Sequence, residues 1–222
     1  NFEHPYSGTL TVEQMYERLD ELGSPSTQPQ YQRPWAGASG APFQYYKLWP
    51  FNGGVRTPMV VSWPKGIRET GLREQFVDVI DITPTVLDFL GIPAPEIFEG
   101  VAQIPLQGAS LRKVFAHKDA PAPRDTQFWE LWGARSIYHE GWKAVAFHKH
   151  GTLFEDDHWE LYNQNADFTE YSNLADTHPE KLLELQALWW KEAEKNNALP
   201  MLEAQGGRVN SYNQILIENG LK

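Results

Sequence analysis

The chain contains no cysteine, which excludes disulfides and thiolate metal sites among its 222 residues and leaves cysteine usage silent on redox compartment. It also lacks the run of roughly 18 apolar residues that a membrane-spanning helix needs. No secretory leader is visible in NFEHPYSGTL, where a basic start followed by an apolar stretch is missing. Positive charge is scarce: 19 Lys and Arg face 29 Asp and Glu, for a formal net charge of −10. No basic stripe stands out, so a nucleic-acid backbone is not the expected partner. Internal repeats are absent as well.

What is present is ordinary globular composition, with 41% hydrophobic and 22% charged residues. Nine Trp and eleven Phe supply a core. The spacing of Val12, Met15, Tyr16, Leu19 and Leu22 predicts a helix over residues 11–23, stopped by Gly23. The Pro-, Ser- and Gln-rich stretch after it reads as a long loop. Met59–Trp63 is a short β-branched run between Pro58 and Pro64, the pattern of a buried strand. Phe76–Ile80 leads into a helix for which Thr83 is the candidate N-cap, Pro84 the first helical residue and Gly91 the stop. Residues 93–125 are rich in Pro and Gly and read as a connection, with one helical turn at Ser110–Phe115.

From there the period changes. TQFWELW, SIYHEG, WKAVAFH and HWELYN are four short runs separated by turn signals, with Gly133 and Gly141 at two of the corners. They predict a four-stranded antiparallel meander. A helix over about 177–196 follows. Thr177 and Glu180 have capping-box spacing there, and Leu182, Leu185 and Trp189 share one face directed at the meander.

Four segments, in order, carry a family resemblance. FQYYKLWPFNGGVRTPMVVSWPKGI is similar to a pattern of Lys, Gly-Gly, Arg-x-Pro, an apolar strand and Trp-Pro. FVDVIDITPTVLDFLGIP resembles the helix entry after it, and FWELWGARSIYHEGWKAV a C-terminal sheet with Gly-Trp-Lys. WELYNQNADFTEYSNLADTHPEKLLEL resembles a closing Glu-Leu-Tyr-Asp and Asn-Leu run. Together they resemble the C-terminal part of type I sulfatases of the alkaline-phosphatase-like superfamily, most nearly the longer bacterial arylsulfatases. Two positions depart from the family: GASGAPF stands where relatives have Gly-Asn-Thr-Pro-Phe, and Asn52 precedes the glycine pair where many have His or Glu.

The resemblance implies an α/β fold whose first part, residues 1–120, forms the edge of a catalytic domain. Residues 121–222 then form a small α+β subdomain, a four-stranded antiparallel sheet packed by a C-terminal helix. It implies hydrolysis of small-molecule or glycan sulfate esters. Lys47 matches the lysine that contacts a sulfate oxygen and the bridging oxygen, and is the one catalytic and substrate-binding residue assigned. The formylglycine motif and the ligands of a Ca2+ ion are expected upstream of this chain, so the 222 residues alone are expected to be inactive. A parallel sheet missing its partner would leave open edges and favour self-association.

Other residues receive plainer readings. Gly53 and Gly54 serve either close backbone approach or a simple turn. Arg56 is expected to pair with an acidic neighbour. His148 and His150, with Asp156, Asp157 and His158, read as a solvated hairpin tip rather than a zinc site. Asp78, Asp81 and Asp88 read as caps and solvent-facing residues, and Trp189-Trp190 as core and flank. Two alternatives stay open: a phosphodiesterase or phosphonate monoester hydrolase of the same superfamily, and a non-catalytic binding or scaffold module.

Overall fold

A computed structural model describes residues 11–21, 23–26, 33–149 and 151–202. Helix α1 (Val12–Glu17) opens with a capping box: the Thr11 hydroxyl accepts from the Gln14 N–H at 3.3 Å, and Gln14 Oε1 accepts from the Thr11 N–H at 2.9 Å. A 3-10 turn over Leu19–Glu21 continues it, and Gly23 turns the chain at φ +87°. Leu22 lies outside the described residues. The stretch read as one long loop contains helix α2 (Arg33–Gly40). Proline in a first helical turn forgoes only a bond that would be missing anyway, so RPWAGASG can coil where its composition reads as loop.

Met59–Trp63 is not a strand. It runs without ladder partners among the described residues, with Val60 93% exposed. A strand exists through the hydrogen bonds of its neighbours, and none of the described strands lies beside this run. Helix α3 (Asn52–Val55) precedes it. Helix α4 (Ile82–Leu90) does end at Gly91, in the left-handed conformation at φ +65°. Its start differs from the expected Thr83 cap. A 3-10 turn, Val79–Asp81, leads in, and Asp78 caps it by accepting from the Ile80 N–H at 3.1 Å.

Asp81 is fully buried, not solvent-facing. Its carboxylate accepts the N–H groups of Asp78 (2.9 Å) and Ala109 (2.8 Å) and ion-pairs with Arg124. It thus staples its own turn to two distant segments. Asp88, at the surface, pairs with Arg112 at 2.9 Å. The Pro/Gly-rich connection holds a small exposed hairpin, β1 (Ile97–Phe98) with β2 (Val101–Ala102), and helix α5 (Arg112–Ala116).

The meander forms as expected. Strands β3 (Thr126–Leu131), β4 (Ala134–His139), β5 (Trp142–Ala146) and β6 (Trp159–Asn163) make an antiparallel sheet in that order. The β3–β4 corner is Trp132-Gly133 and the β4–β5 corner Glu140-Gly141, all four residues at positive φ. That is the backbone of the primed two-residue turns that match strand twist.

Helix α6 (Pro179–Lys195) covers one face. Its first turn is not the predicted capping box. His178 takes the N-cap position without a side-chain cap, and the Thr177 hydroxyl bonds the Leu174 carbonyl (3.1 Å) instead. The predicted apolar face holds: Leu185 and Trp189 are fully buried against Ile137, Ala144 and Leu161, one residue from each of β4, β5 and β6. The Trp189 indole N–H donates to the Trp129 carbonyl at 3.1 Å. Trp190 lies beside it at the rim, as expected of a flank.

Strand alternation sends Tyr138, Lys143 and Tyr162 to the opposite face. There Phe76 stacks on Tyr138 (4.0 Å), and Phe51 packs on Val145 and Tyr162. The sheet is therefore covered on both faces, by α6 on one and by the segments around Phe51 and Phe76 on the other.

Candidate active site

The loop carrying Lys47 is pinned on both sides. Tyr45 and Leu48 adopt positive φ, +63° and +79°, a conformation that costs bulky residues energy and needs surrounding structure to hold it. Aromatic stacking provides it: Tyr45 lies on Trp49 at 4.2 Å, and Trp49 on Phe147 at 4.1 Å. The Trp49 N–H closes a turn onto the Tyr46 carbonyl at 3.2 Å. Lys47 sits in this turn with its side chain exposed, and makes no ion pair or hydrogen bond among the described residues.

The glycine pair explains how the loop closes. A Cβ on Gly53 would stand 2.5 Å from the Tyr45 carbonyl oxygen and closer to that of Gln44. One on Gly54 would stand 2.7 Å from the Tyr46 carbonyl oxygen and closer to that of Trp49. Close backbone approach, rather than a plain turn, is what these glycines provide. α3 packs directly under the Lys47 turn.

Asn52 is buried and answers the question of position 52. Its Oδ1 accepts from Lys143 Nζ at 2.9 Å, and its Nδ2 donates to Gln164 Oε1 (2.6 Å) and the Phe168 carbonyl (2.8 Å). Its backbone N–H donates to Glu170 Oε2 at 2.6 Å. Lys143 in turn ion-pairs with Glu170 Oε1 at 2.7 Å. Burial pushes the Lys143 ammonium below its usual range, while the Glu170 carboxylate opposes the shift. Buried, and bonded to Glu170 and Asn52, Lys143 is not available to a ligand. Arg56 does not pair with a carboxylate among the described residues. Its guanidinium lies over the rings of Phe43 (5.5 Å) and Phe168 (5.4 Å).

Sequence reasoning missed Glu170, Gln164 and Gln44 altogether. Lys143 had a visible signal, a single lysine inside the apolar strand WKAVA, but not a role. The histidine pair is also corrected. His148 is 6% exposed, and its Nδ1 lies 3.0 Å from each oxygen of Asp157, which also ion-pairs with buried Arg135. Within the β5–β6 connection His148 packs on Phe154, and both lie against Gly133, which the polar composition of the run could not reveal. His150 lies outside the described residues. Among the described residues no group of three or more His, Asp or Glu could hold a metal ion, so these side chains do not fit a Ca2+ site. No described helix is long and apolar enough to cross a membrane.

Residues 42–197 match the family described as N-sulphoglucosamine sulphohydrolase, C-terminal. A protein of Schizosaccharomyces pombe named an uncharacterized sulfatase is 33% identical over 204 residues, 90% of this chain and 34% of that protein. Zebrafish arylsulfatase K is 26% identical over 188 residues, 78% of this chain and 34% of that protein. The crystal structure of Ps i-CgsB aligns with a TM-score of 0.58 at 20% identity, over 77% of this chain and 36% of that one, and shares the fold. The chain thus spans about a third of the length of these relatives. The match from Pro42 through the last helix, taken with the yeast relative, shows that this chain belongs to the type I sulfatases and represents a C-terminal portion of their fold.

Proposed function

We propose that the protein to which these residues belong hydrolyses sulfate monoesters, with Lys47 contacting the sulfate group. The observation that carries this is the exposed ammonium of Lys47 on a turn locked by Gly53 and Gly54, inside the family-matched region. Cleavage of a sulfate ester builds negative charge on the leaving oxygen. A fixed cation aimed at that oxygen stabilises the transition state more than the ground state. Lysine suits the task as a compact charge that can approach a tetrahedral anion from one side. Fixing its turn lowers the reorganisation required when that charge develops.

The description of the matched family, N-sulphoglucosamine sulphohydrolase, supports a sulfated sugar as substrate class. Under this reading a hydrated formylglycine and Ca2+ are supplied by a region outside these residues, and the 222 residues alone are inactive. The division near residue 120 into a catalytic-domain edge and a C-terminal subdomain belongs to the same proposal.

The test is kinetic. In the full-length protein, Lys47→Ala should lower kcat/KM for an aryl sulfate by about ten- to a thousand-fold, the usual scale for losing a transition-state charge contact. An unchanged rate would remove Lys47 from the mechanism. Matched aryl sulfate, phosphate and phosphonate esters should be cleaved with sulfate preferred. Much faster cleavage of the phosphorus esters would overturn the sulfatase reading in favour of the phosphodiesterase or phosphonate hydrolase alternative.

A further inference from the structure

The Lys47 turn is gripped on both flanks by one distant residue. Three positions before the lysine, the Gln44 amide donates to the Glu170 backbone carbonyl. Five positions after it, the Asn52 backbone N–H donates to Glu170 Oε2 at 2.6 Å. The other carboxylate oxygen of Glu170 accepts from Lys143 Nζ at 2.7 Å, and Lys143 bonds the Asn52 side chain at 2.9 Å. Relative exposures are 5% for Asn52, 1% for Lys143 and 0% for Glu170. Glu170 is itself held at φ +61° in a loop organised by Asp167, whose carboxylate accepts the Tyr171 and Ser172 N–H groups at 2.8 Å each.

A buried ion pair is a weak source of stability, since apolar residues of similar volume often serve as well or better. What hydrogen-bonded charges add is direction. Phe51 and Trp49 already hold the segment against the sheet through apolar contact, and such contact tolerates sliding. The bonds to Gln44 and Asn52 do not. They set where the chain enters the Lys47 turn and where α3 begins. We infer that Glu170, supported by Lys143, is a positioning residue of the sulfate site, gripping Gln44 and Asn52 so that the turn presenting Lys47 is held in one place. The inference rests on the proposed role of Lys47.

A double-mutant cycle separates positioning from plain structural support. Glu170→Gln and Gln44→Ala are each made in the full-length protein, with Lys47 intact and with Lys47→Ala. Glu170→Gln keeps the shape but turns one acceptor into a donor. Gln44→Ala removes one grip and leaves no buried charge unpaired. With Lys47 present, each should lower kcat/KM for an aryl sulfate about tenfold or more, the scale of a small misplacement. In the Lys47→Ala background each should cost less than about twofold, because the group being positioned is gone. Equal fold-losses in both backgrounds, or no loss in either, would overturn the inference.

Protection of the Lys47 amine from acylation by inorganic sulfate, followed by mass spectrometry, reads the same effect where turnover is too slow to measure. The half-protecting sulfate concentration should rise about tenfold in both variants; an unchanged value would overturn the inference. Should Glu170→Gln fail to fold, Gln44→Ala carries both measurements. If Lys47→Ala alone leaves the rate intact, or sulfate gives no protection in the unmutated protein, the role of Lys47 itself fails and the inference falls with it.

Discussion

A methyl group on Gly54 would fall 2.7 Å from the Tyr46 carbonyl oxygen, with that of Trp49 nearer still. Both obstacles are backbone, so neither can rotate aside. Gly54→Ala should therefore lower unfolding stability by about 1–3 kcal/mol, the usual scale of overpacking, measured by urea denaturation, and reduce turnover along with it. Glu130 gives a prediction of a different kind. Burial raises its carboxyl above the ordinary range, while the Gly133 N–H, bound at 2.8 Å, and Arg135 oppose the rise. The native state then holds this proton more tightly than the unfolded chain. Stability falls as pH climbs from the ordinary carboxylate pKa through the raised one. Glu130→Gln should accordingly melt higher than the unmutated protein at pH 7, and the advantage should fade as pH falls through the raised value and be gone below about 4.3, the unperturbed glutamate value. Thermal midpoints at several pH values check this, and an advantage that grows toward acid would contradict it.

Helix α6 and the meander depend on each other more than on their own propensities. Trp189 is fully buried, rests on Phe128 at 5.3 Å and Trp159 at 6.2 Å, and reaches the β3 backbone through its indole N–H. Trp189→Ala should cost about 3–5 kcal/mol, seen as a lowered urea midpoint with loss of near-ultraviolet dichroism. A cost below about 1 kcal/mol would mean that α6 is not the cover of this face. At this scale the sequence was easy to read. Glycines at tight corners, alternation within five- and six-residue strands, and a three-four spacing on α6 are all local signals. The helix entries were harder. Asp78 caps the turn before α4 where Thr83 was expected, because a short 3-10 lead-in shifts the start without changing the apolar period.

Across the whole molecule, apolar side chains between residues 59 and 106 stand at the surface, among them Val60, Leu72, Ile97, Phe98 and Ile104. So many large apolar side chains left exposed over one stretch of chain suit a surface that packs on something. Relatives matched by this chain are about three times as long; if the protein likewise extends well beyond these residues, that further sequence is the expected cover. The 222 residues purified alone should self-associate and bind an apolar fluorescent dye, whereas the full-length protein should do neither. Sedimentation velocity and dye titration test this, and a monodisperse, dye-silent protein of these 222 residues would show that these side chains do not form an interface.

The sequence by itself determined the sheet order, the corner turns, the face of α6 and the position of Lys47 before its glycine pair, because each depends on residues a few places apart. Only the tertiary structure decided that Glu170 grips Gln44 and Asn52, that Asp81 and His148 are buried among charged partners, and that Met59–Trp63 stays unpaired. Those outcomes join positions as far as 126 residues apart, or depend on strand partners that the described residues do not supply. No local pattern records which polar group will meet which across such a distance. The meeting is set by the packing of elements that the local pattern only begins.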